Sequence, residues 1–236
     1  MKILSLDSAT EAATCAVIED DKLLGEITFN YKKQHSVILM TIIDTLLKQI
    51  GTNIKDIDGF VVSKGPGSFT GLRIGMATVK GLSEGTGKPY VSISSLDALA
   101  NNLPFTDGIL CPILDALRGN VYSAIYTYNE NKLKRLTDYM VISMDELLTM
   151  LKSKESSVTF IGDATYLYKD KITNSLESTN FAPSHLNFVR AAALGELGFK
   201  ELLNNNFDSP HTAPLYIRKS QAEREYELRT GKDINE

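Results

Sequence analysis

The segment 63–83, SKGPGSFTGLRIGMATVKGLS, constrains the fold of this chain more than any other stretch. It follows Phe60, Val61 and Val62, an apolar run that is typical of a buried strand. Because glycine adopts positive φ without strain and proline fixes its own φ, the next residues predict a sharp turn into a helix. A serine at the end of such a turn is a good N-cap. This structural turn consists of Gly65, Pro66, Gly67 and Ser68.

The helix that follows the turn combines an apolar face with small residues. Leu72, Met76 and Val79 recur at helical spacing. Ala77 and Gly81 lie four residues apart, which lets another helix or a sheet approach closely. A strand, a glycine turn and a helix N-terminus can also bind an anion, but no Gly-Lys-Ser/Thr follows at the spacing of a Walker loop. We therefore interpret the segment as a structural turn.

Hydrophobic periodicity predicts two similar series of strands and helices. The first has strands at 2–7, 12–18, 22–30, 59–63 and 89–93, with helices at 34–50, 70–84 and 95–101. The second has strands at 109–114, 121–128, 134–142 and 157–161, with helices at 143–152, 165–173 and 186–203. Pro104 and Gly108 mark the junction between them. The sequence thus predicts an α/β protein with lobes 1–103 and 104–218 and a charged tail, 219–236.

Four stretches of the chain carry a resemblance to a known family: GPGSFTGLRIG from Gly65 onward, residues 2–14, residues 115–122 and residues 214–218. They resemble the TsaB/YeaZ family and its paralogue TsaD, which act in tRNA threonylcarbamoyladenosine synthesis. Leu117 and Asn120 depart from the family pattern Asp-Ala-Arg-Arg-Gly-Glu-Val-Tyr in the third stretch. The resemblance spans most of the chain. It implies two tandem ribonuclease-H-like lobes of the actin/Hsp70/sugar-kinase (ASKHA) architecture.

Charge and composition limit the partners that we expect. The net charge is −4 and the pI about 5.5, with no dense cluster of lysine and arginine, which argues against tight tRNA binding by this chain alone. Cys15 and Cys111 lie among apolar neighbours, as buried thiols in a reducing compartment do. No signal-peptide pattern and no membrane-spanning run is present in the sequence. We expect a soluble cytoplasmic protein without membrane contact.

The groups that nucleotide or metal chemistry would need are incomplete. Ala9 follows Asp7 where a phosphate loop of this architecture carries glycine, and no paired glycines follow residue 108. TsaD-like proteins carry two histidines four residues apart on a helix, whereas here Leu39 stands four residues after His35. Ser68 is not the central serine of a Gly-x-Ser-x-Gly motif. We predict no catalytic, metal-binding or nucleotide-binding residues, no cofactor, and no activity of the chain alone.

Surplus apolar residues on helices 34–50 and 70–84 predict a surface that binds another protein. We expect that Met40→Asp or Met76→Asp would leave a folded monomer that no longer associates. The rotation of the first helix stays open at this point. The candidate interface residues are Leu39, Met40, Ile43, Met76 and Val79.

The resemblance implies a non-catalytic subunit that pairs with a TsaD-like catalytic subunit and is joined by a TsaE-like ATPase. The complex would form N6-threonylcarbamoyladenosine at position 37 of tRNAs that read ANN codons. The chain would contact tRNA only through the complex and would form a homodimer when alone. Two alternatives remain at this point: an independent ATP-using enzyme of the actin and sugar-kinase group, and a glycoprotease-like peptidase.

Overall fold

The computed structural model describes residues 1–30, 35–130, 132–154, 156–218, 226 and 229–230, without the side chains of residues 35–37. The predicted tail 219–236 lies outside the described residues apart from three positions. No helix within the described ranges is both long and apolar enough to cross a membrane.

The first lobe is a five-stranded mixed sheet with strand order β3-β2-β1-β4-β5. Strands β1, β2 and β3 are antiparallel neighbours, whereas β4 and β5 run parallel to β1. The strands are β1 Lys2–Asp7, β2 Ala13–Glu19, β3 Lys22–Phe29, β4 Gly59–Gly65 and β5 Tyr90–Ser94. The helices are α1 His35–Gln49, α2 Phe69–Thr86 and α3 Ser95–Asn101, with a 3-10 turn at Ile54–Asp56.

The second lobe repeats this plan. Its sheet has the order β10-β7-β6-β11-β12, with the first three strands antiparallel and the last two parallel to β6. The strands are β6 Ile109–Asp115, β7 Asn120–Ser123, β8 Tyr126–Asn129, β9 Lys132–Arg135, β10 Met140–Ser143, β11 Val158–Ile161 and β12 Thr179–Phe181. The helices are α4 Met144–Lys152, α5 Ala164–Ser175 and α6 Ala191–Leu203, with a 3-10 turn at Ser184–Leu186. The predicted pair of ribonuclease-H-like lobes is confirmed.

Three predicted elements of the second lobe are wrong in extent. The strand predicted at 121–128 is two strands, because β7 pairs with the end of β6 whereas Tyr126 of β8 pairs with Leu110 near its start. The strand predicted at 134–142 likewise divides into β9 and β10. The helix predicted at 186–203 begins only at Ala191, because Arg190 has extended backbone angles. Strand β12 was not predicted.

Each face of the first sheet is covered by a pair of helices. Helices α1 and α2 pack on the face that carries Leu4, Leu6 and Phe60, where they form one buried core. Helices α3 and α6 cover the opposite face, which carries Ile3 and Val61. Strands β1 and β4 carry apolar residues on both sides because both faces of the sheet are buried there.

Helix α6 belongs to the second lobe by sequence but packs on the first sheet. A Cβ atom at Gly198 would lie 2.4 Å from a methyl carbon of Val61, so the helix approaches the sheet more closely than a side chain would allow. Ser5 Oγ donates a 2.6 Å hydrogen bond to the carbonyl oxygen of Ala191. Glu26 on β3 accepts the backbone amide of Ala192 at 2.9 Å and binds the guanidinium of Arg190. The chain therefore crosses back to the first lobe after the second sheet is complete.

Helix α3 joins the two lobes. The carboxylate of Asp97 accepts a 2.7 Å hydrogen bond from the Tyr126 hydroxyl and a 2.6 Å bond from the Tyr139 hydroxyl, both from the second lobe. Leu96 and Leu99 of the same helix lie in the core cluster that contains Leu110 and Leu114. One continuous core thus connects the sheets.

Candidate functional site

The cleft between the lobes begins where β1 ends, at Asp7. The Asp7 carboxylate is fully buried and accepts hydrogen bonds from the Ala9 amide at 3.2 Å and the Thr10 hydroxyl at 2.8 Å. Burial raises the pKa of Asp7, although these bonds act in the opposite direction. The carboxylate therefore closes its own loop, as a turn-capping aspartate does.

The first turn of α2 covers this loop. The Ser68 amide donates to the Ala9 carbonyl at 2.6 Å, and the Ser8 hydroxyl donates to the Gly71 carbonyl at 2.9 Å. A Cβ atom at Gly71 would lie 1.9 Å from the Ser8 carbonyl oxygen, and one at Gly67 would lie 2.3 Å from that of Ala9. Only glycine permits this contact. Ser68 also accepts the Gly71 amide at 3.3 Å as the N-cap of α2.

The other side of the cleft carries Asp163, which directly precedes α5. Its carboxylate accepts the backbone amide of Asp115 at 2.9 Å. Burial, with smaller contributions from the charges of Glu11 and Asp115, raises the pKa of Asp163 to about 6. The space between Glu11 and Asp163 holds about 10 Å³, which is room for about one water. Asp163 is not among the residues predicted from the sequence, where its one signal is the Gly162-Asp163 pair that follows β11.

The cleft residues do not fit the nucleotide that enzymes of this architecture bind. A phosphate would need free backbone amides near Ala9, but the amide of Ala9 itself already donates to the Asp7 carboxylate. Asp115 and Asp163 on the opposite side of the cleft would repel a phosphate when they are charged. Within the described residues no three His, Cys, Asp or Glu side chains lie together as metal ligands. The side chain of His35 lies outside the described part, so the prediction that concerns it is not addressed.

The two cysteines have no role in the cleft. Both Cys15 and Cys111 are buried, and burial raises the pKa of each thiol to about 12. Such thiols are protonated at neutral pH and react slowly as nucleophiles.

Four of the five predicted interface residues lie inside the first lobe. They pack against the lobe's own sheet, because α1 and α2 turn their most apolar faces toward β1, β2 and β4. A partner could contact them only if the core opened. Met40 is different, because 51% of its surface is exposed. The four buried residues are Leu39, Ile43, Met76 and Val79.

The outward face of α2 carries small residues with open space around them. Ala77, Gly81 and Gly85 recur every four residues and are exposed; we call them the outer stripe. A Cβ atom at Gly81 or Gly85 would meet no other atom within 4 Å. Ile74 and Leu82 beside the stripe are half-buried. The floor of this surface is therefore flat and apolar, as close helix packing requires.

Two walls flank the outer stripe. Helix α1 packs over β2 and β3 on one side and exposes Met40, Asp44 and Lys48. The segment 208–218, which we call the strap, lies on the β5 side, where the Leu215 amide donates to the Lys64 carbonyl at 2.7 Å and the Tyr90 hydroxyl donates to the Ser209 carbonyl at 2.6 Å. We call this surface, the outer stripe with α1 on one side and the strap on the other, the trough.

Comparisons with known proteins agree with the predicted family. A family model described as "TsaD: tRNA N6-adenosine threonylcarbamoyltransferase" matches residues 22–226. The tRNA threonylcarbamoyladenosine biosynthesis protein TsaB of Bacillus subtilis is 33% identical, over 94% of this chain and 96% of that protein. The TsaB protein of Escherichia coli is 32% identical over 56% of this chain and 57% of that protein.

Solved structures of low identity share the fold. YeaZ from Pseudomonas aeruginosa matches with a TM-score of 0.77 at 19% identity, over 91% of this chain and 99% of that chain. The ROK hexokinase from Thermus thermophilus matches with a TM-score of 0.50 at 11% identity, over 86% and 100% of the respective chains. The architecture is thus that of the actin and sugar-kinase group. With the sequence matches, this shows that the chain belongs to the TsaB/YeaZ family, whose members act in tRNA threonylcarbamoyladenosine biosynthesis.

Proposed function

We propose that this chain is a non-catalytic subunit that pairs, through the trough, with a TsaD-like catalytic subunit. The observation that carries the proposal is the open surface of the outer stripe. Glycine inside a helix costs about 1 kcal/mol relative to alanine, and the surroundings of Gly81 and Gly85 give no internal reason for glycine there. A helix of a partner that approaches α2 closely would supply that reason.

The closed cleft supports the non-catalytic role. The loop after β1 bonds to itself and to the first turn of α2, and the space beside Asp163 is far smaller than a ligand pocket of several hundred Å³. This geometry weighs against the alternative of an ATP-using enzyme, which needs a phosphate site. The N-cap role of Ser68 on α2 weighs against the peptidase alternative, which needs an activated serine.

The remaining partners follow from the family and from charge. The complex would form N6-threonylcarbamoyladenosine at position 37 of tRNAs that read ANN codons, and a TsaE-like ATPase would join it. The net charge of −4 favours tRNA contact through the other subunits rather than through this chain. In the absence of a partner, the apolar floor of the trough would be covered by a second copy of the chain.

The test is a substitution that adds a bulky side chain to the outer stripe without changing a residue of the core. Gly81→Leu would place a bulky side chain in the open space above α2, so the variant would fold but keep the partner helix away. We expect capture of the TsaD-like subunit of the same organism to weaken at least tenfold, and tRNA modification in vitro to fall with it. Thr149→Leu, on the exposed face of α4, adds a leucine far from the trough and serves as the matched control. Unchanged capture by Gly81→Leu would refute the trough as the interface.

A further inference from the structure

The strap is attached to the first lobe by hydrogen bonds to β4 and β5 and by side chains of α2. The Lys80 ammonium donates to the carbonyl oxygens of Pro210 at 2.8 Å and Thr212 at 2.7 Å. No residue of the strap is fully buried. The strap therefore lies along α2 because hydrogen bonds from β4, β5 and the α2 side chains hold it there, and not because it has a core of its own.

A second cation on α2 holds the end of the strap. The ring of Tyr216 stacks on that of Phe69 with centroids 4.1 Å apart and planes 19° apart. The Arg73 guanidinium lies 4.5 Å from the Phe69 ring centroid, and its Nε donates to the Tyr216 hydroxyl at 3.2 Å. Planar stacking of this kind fixes the direction of an arginine side chain.

Arg73 and Lys80 form one row on the strap side of the trough. They are seven residues apart, which is two helical turns, so they point to the same side of α2. Within the described residues, their partners are carbonyl and hydroxyl oxygens and aromatic rings, and no carboxylate lies within ion-pairing distance of either. The exposed Glu84 lies one helical turn after Lys80 but forms no ion pair with it, so both cations remain able to meet a carboxylate of a partner helix that passes there.

We propose that this row recognises carboxylates on the partner helix, and that the strap positions the row. The partner helix would present small or apolar residues to the outer stripe and two acidic residues, about two turns apart, to Arg73 and Lys80. Tyr216 is a positioning residue in this scheme, because it acts on the partner only through Arg73. The proposal rests on the proposed function for the identity of the partner, a TsaD-like subunit.

The test is the salt dependence of association, which a purely structural role would not change. Arg73→Gln with Lys80→Gln removes both charges and leaves the outer stripe intact. At low salt, about 0.05 M, we expect association with the TsaD-like subunit to slow at least tenfold, and at about 0.5 M the variant and the parent protein should differ little. The control is Lys152→Gln with Lys154→Gln, which removes the same charge from exposed positions of the second lobe.

Variants of Tyr216 separate positioning from charge. Tyr216→Phe keeps the ring stack and should bind within about twofold of the parent protein, whereas Tyr216→Ala frees Arg73 and should bind several-fold more weakly. If Gly81→Leu abolishes capture but the double glutamine variant keeps the parent's affinity and salt dependence, the charge row is refuted and the trough stands. If Gly81→Leu also binds normally, both proposals fail.

Discussion

The two halves of α2 use glycine for opposite purposes. In the first half, Gly71 touches the backbone of Ser8, and a Cβ atom at Gly75 would lie 2.8 Å from the Ser8 hydroxyl oxygen. In the second half, Gly81 and Gly85 face open space. The first pair has a structural reason inside the chain. The second pair has no such reason inside the chain, although glycine at these positions lowers the intrinsic stability of the helix.

This difference separates the part of α2 that closes the cleft from the part that is available to a partner. The glycines near the helix start let α2 seal the loop after β1, where an enzyme of this architecture would bind phosphate. The outer glycines leave an open, flat surface on the other side of the helix. One helix therefore seals the loop after β1 on one side and, under the proposed function, offers a packing surface to a partner on the other.

The largest expected effect is that of Met76→Asp. Met76 is 4% exposed and packs in the core beneath α1 and α2, so an aspartate there would be a buried, unpaired charge. We expect a loss of about 5 kcal/mol or more, and hence no soluble folded protein. This reverses the expectation drawn from the sequence alone.

Met40→Asp is the matched control for that change, because Met40 is 51% exposed on the same face of the lobe. Circular dichroism and soluble yield compare the two variants. A folded Met76→Asp protein would show that the inner face of α2 is not part of the core.

Gly71→Ala should be the next most damaging change. The added Cβ would overlap the Ser8 carbonyl oxygen, which is backbone and cannot rotate away. We expect more than about 3 kcal/mol of lost stability in urea unfolding. At Gly75 the nearest atom is the end of the Ser8 side chain, so Gly75→Ala should cost less. Equal midpoints for Gly71→Ala and the parent protein would contradict the close contact at the cleft.

Asp163→Asn should stabilise the protein at neutral pH. Because the folded pKa of Asp163 is raised to about 6 from the ordinary value of 3.8, its ionisation opposes folding increasingly between pH 4 and 6 and fully above that range. One pKa unit corresponds to about 1.4 kcal/mol, so Asp163→Asn should raise the free energy of unfolding at pH 7.5 by no more than about 3 kcal/mol. This increase should disappear near pH 4.

An amide oxygen at this position can still accept the Asp115 amide, so the substitution keeps that hydrogen bond. Denaturant titrations at the two pH values measure the difference. The same gain at pH 4 as at pH 7.5 would exclude ionisation as its cause.

Gly81→Ala should have the smallest effect, and of the opposite sign to Gly71→Ala. Open space around Gly81 accepts the methyl group, and alanine is the better helix former by about 1 kcal/mol. We expect a slightly higher melting temperature and, if the trough is the interface, somewhat weaker partner capture. A lower melting temperature would mean that Gly81 has an internal contact that the structure does not show.

Local patterns in the sequence determined much of this protein. The periodicity of apolar residues placed most strands and helices within a few residues, because burial on a sheet or a helix face repeats at fixed spacing. The Gly-Pro-Gly-Ser turn predicted the junction of β4 and α2, since glycine, proline and an N-cap serine act over a few neighbouring residues. The missing glycine after Asp7 already argued against a phosphate loop.

Only the tertiary structure decided which face of each helix is outside. Helix α1 is apolar over so much of its circumference that Leu39 and Met40 look alike in sequence, yet 1% of one and 51% of the other is exposed. The crossing of α6 to the first sheet, and its contact with Glu26 from 166 residues earlier, depend on contacts between distant segments. Such contacts leave no local sequence pattern. Gly198, which packs against Val61, and Gly81, which faces open space, cannot be told apart by their neighbours in the sequence.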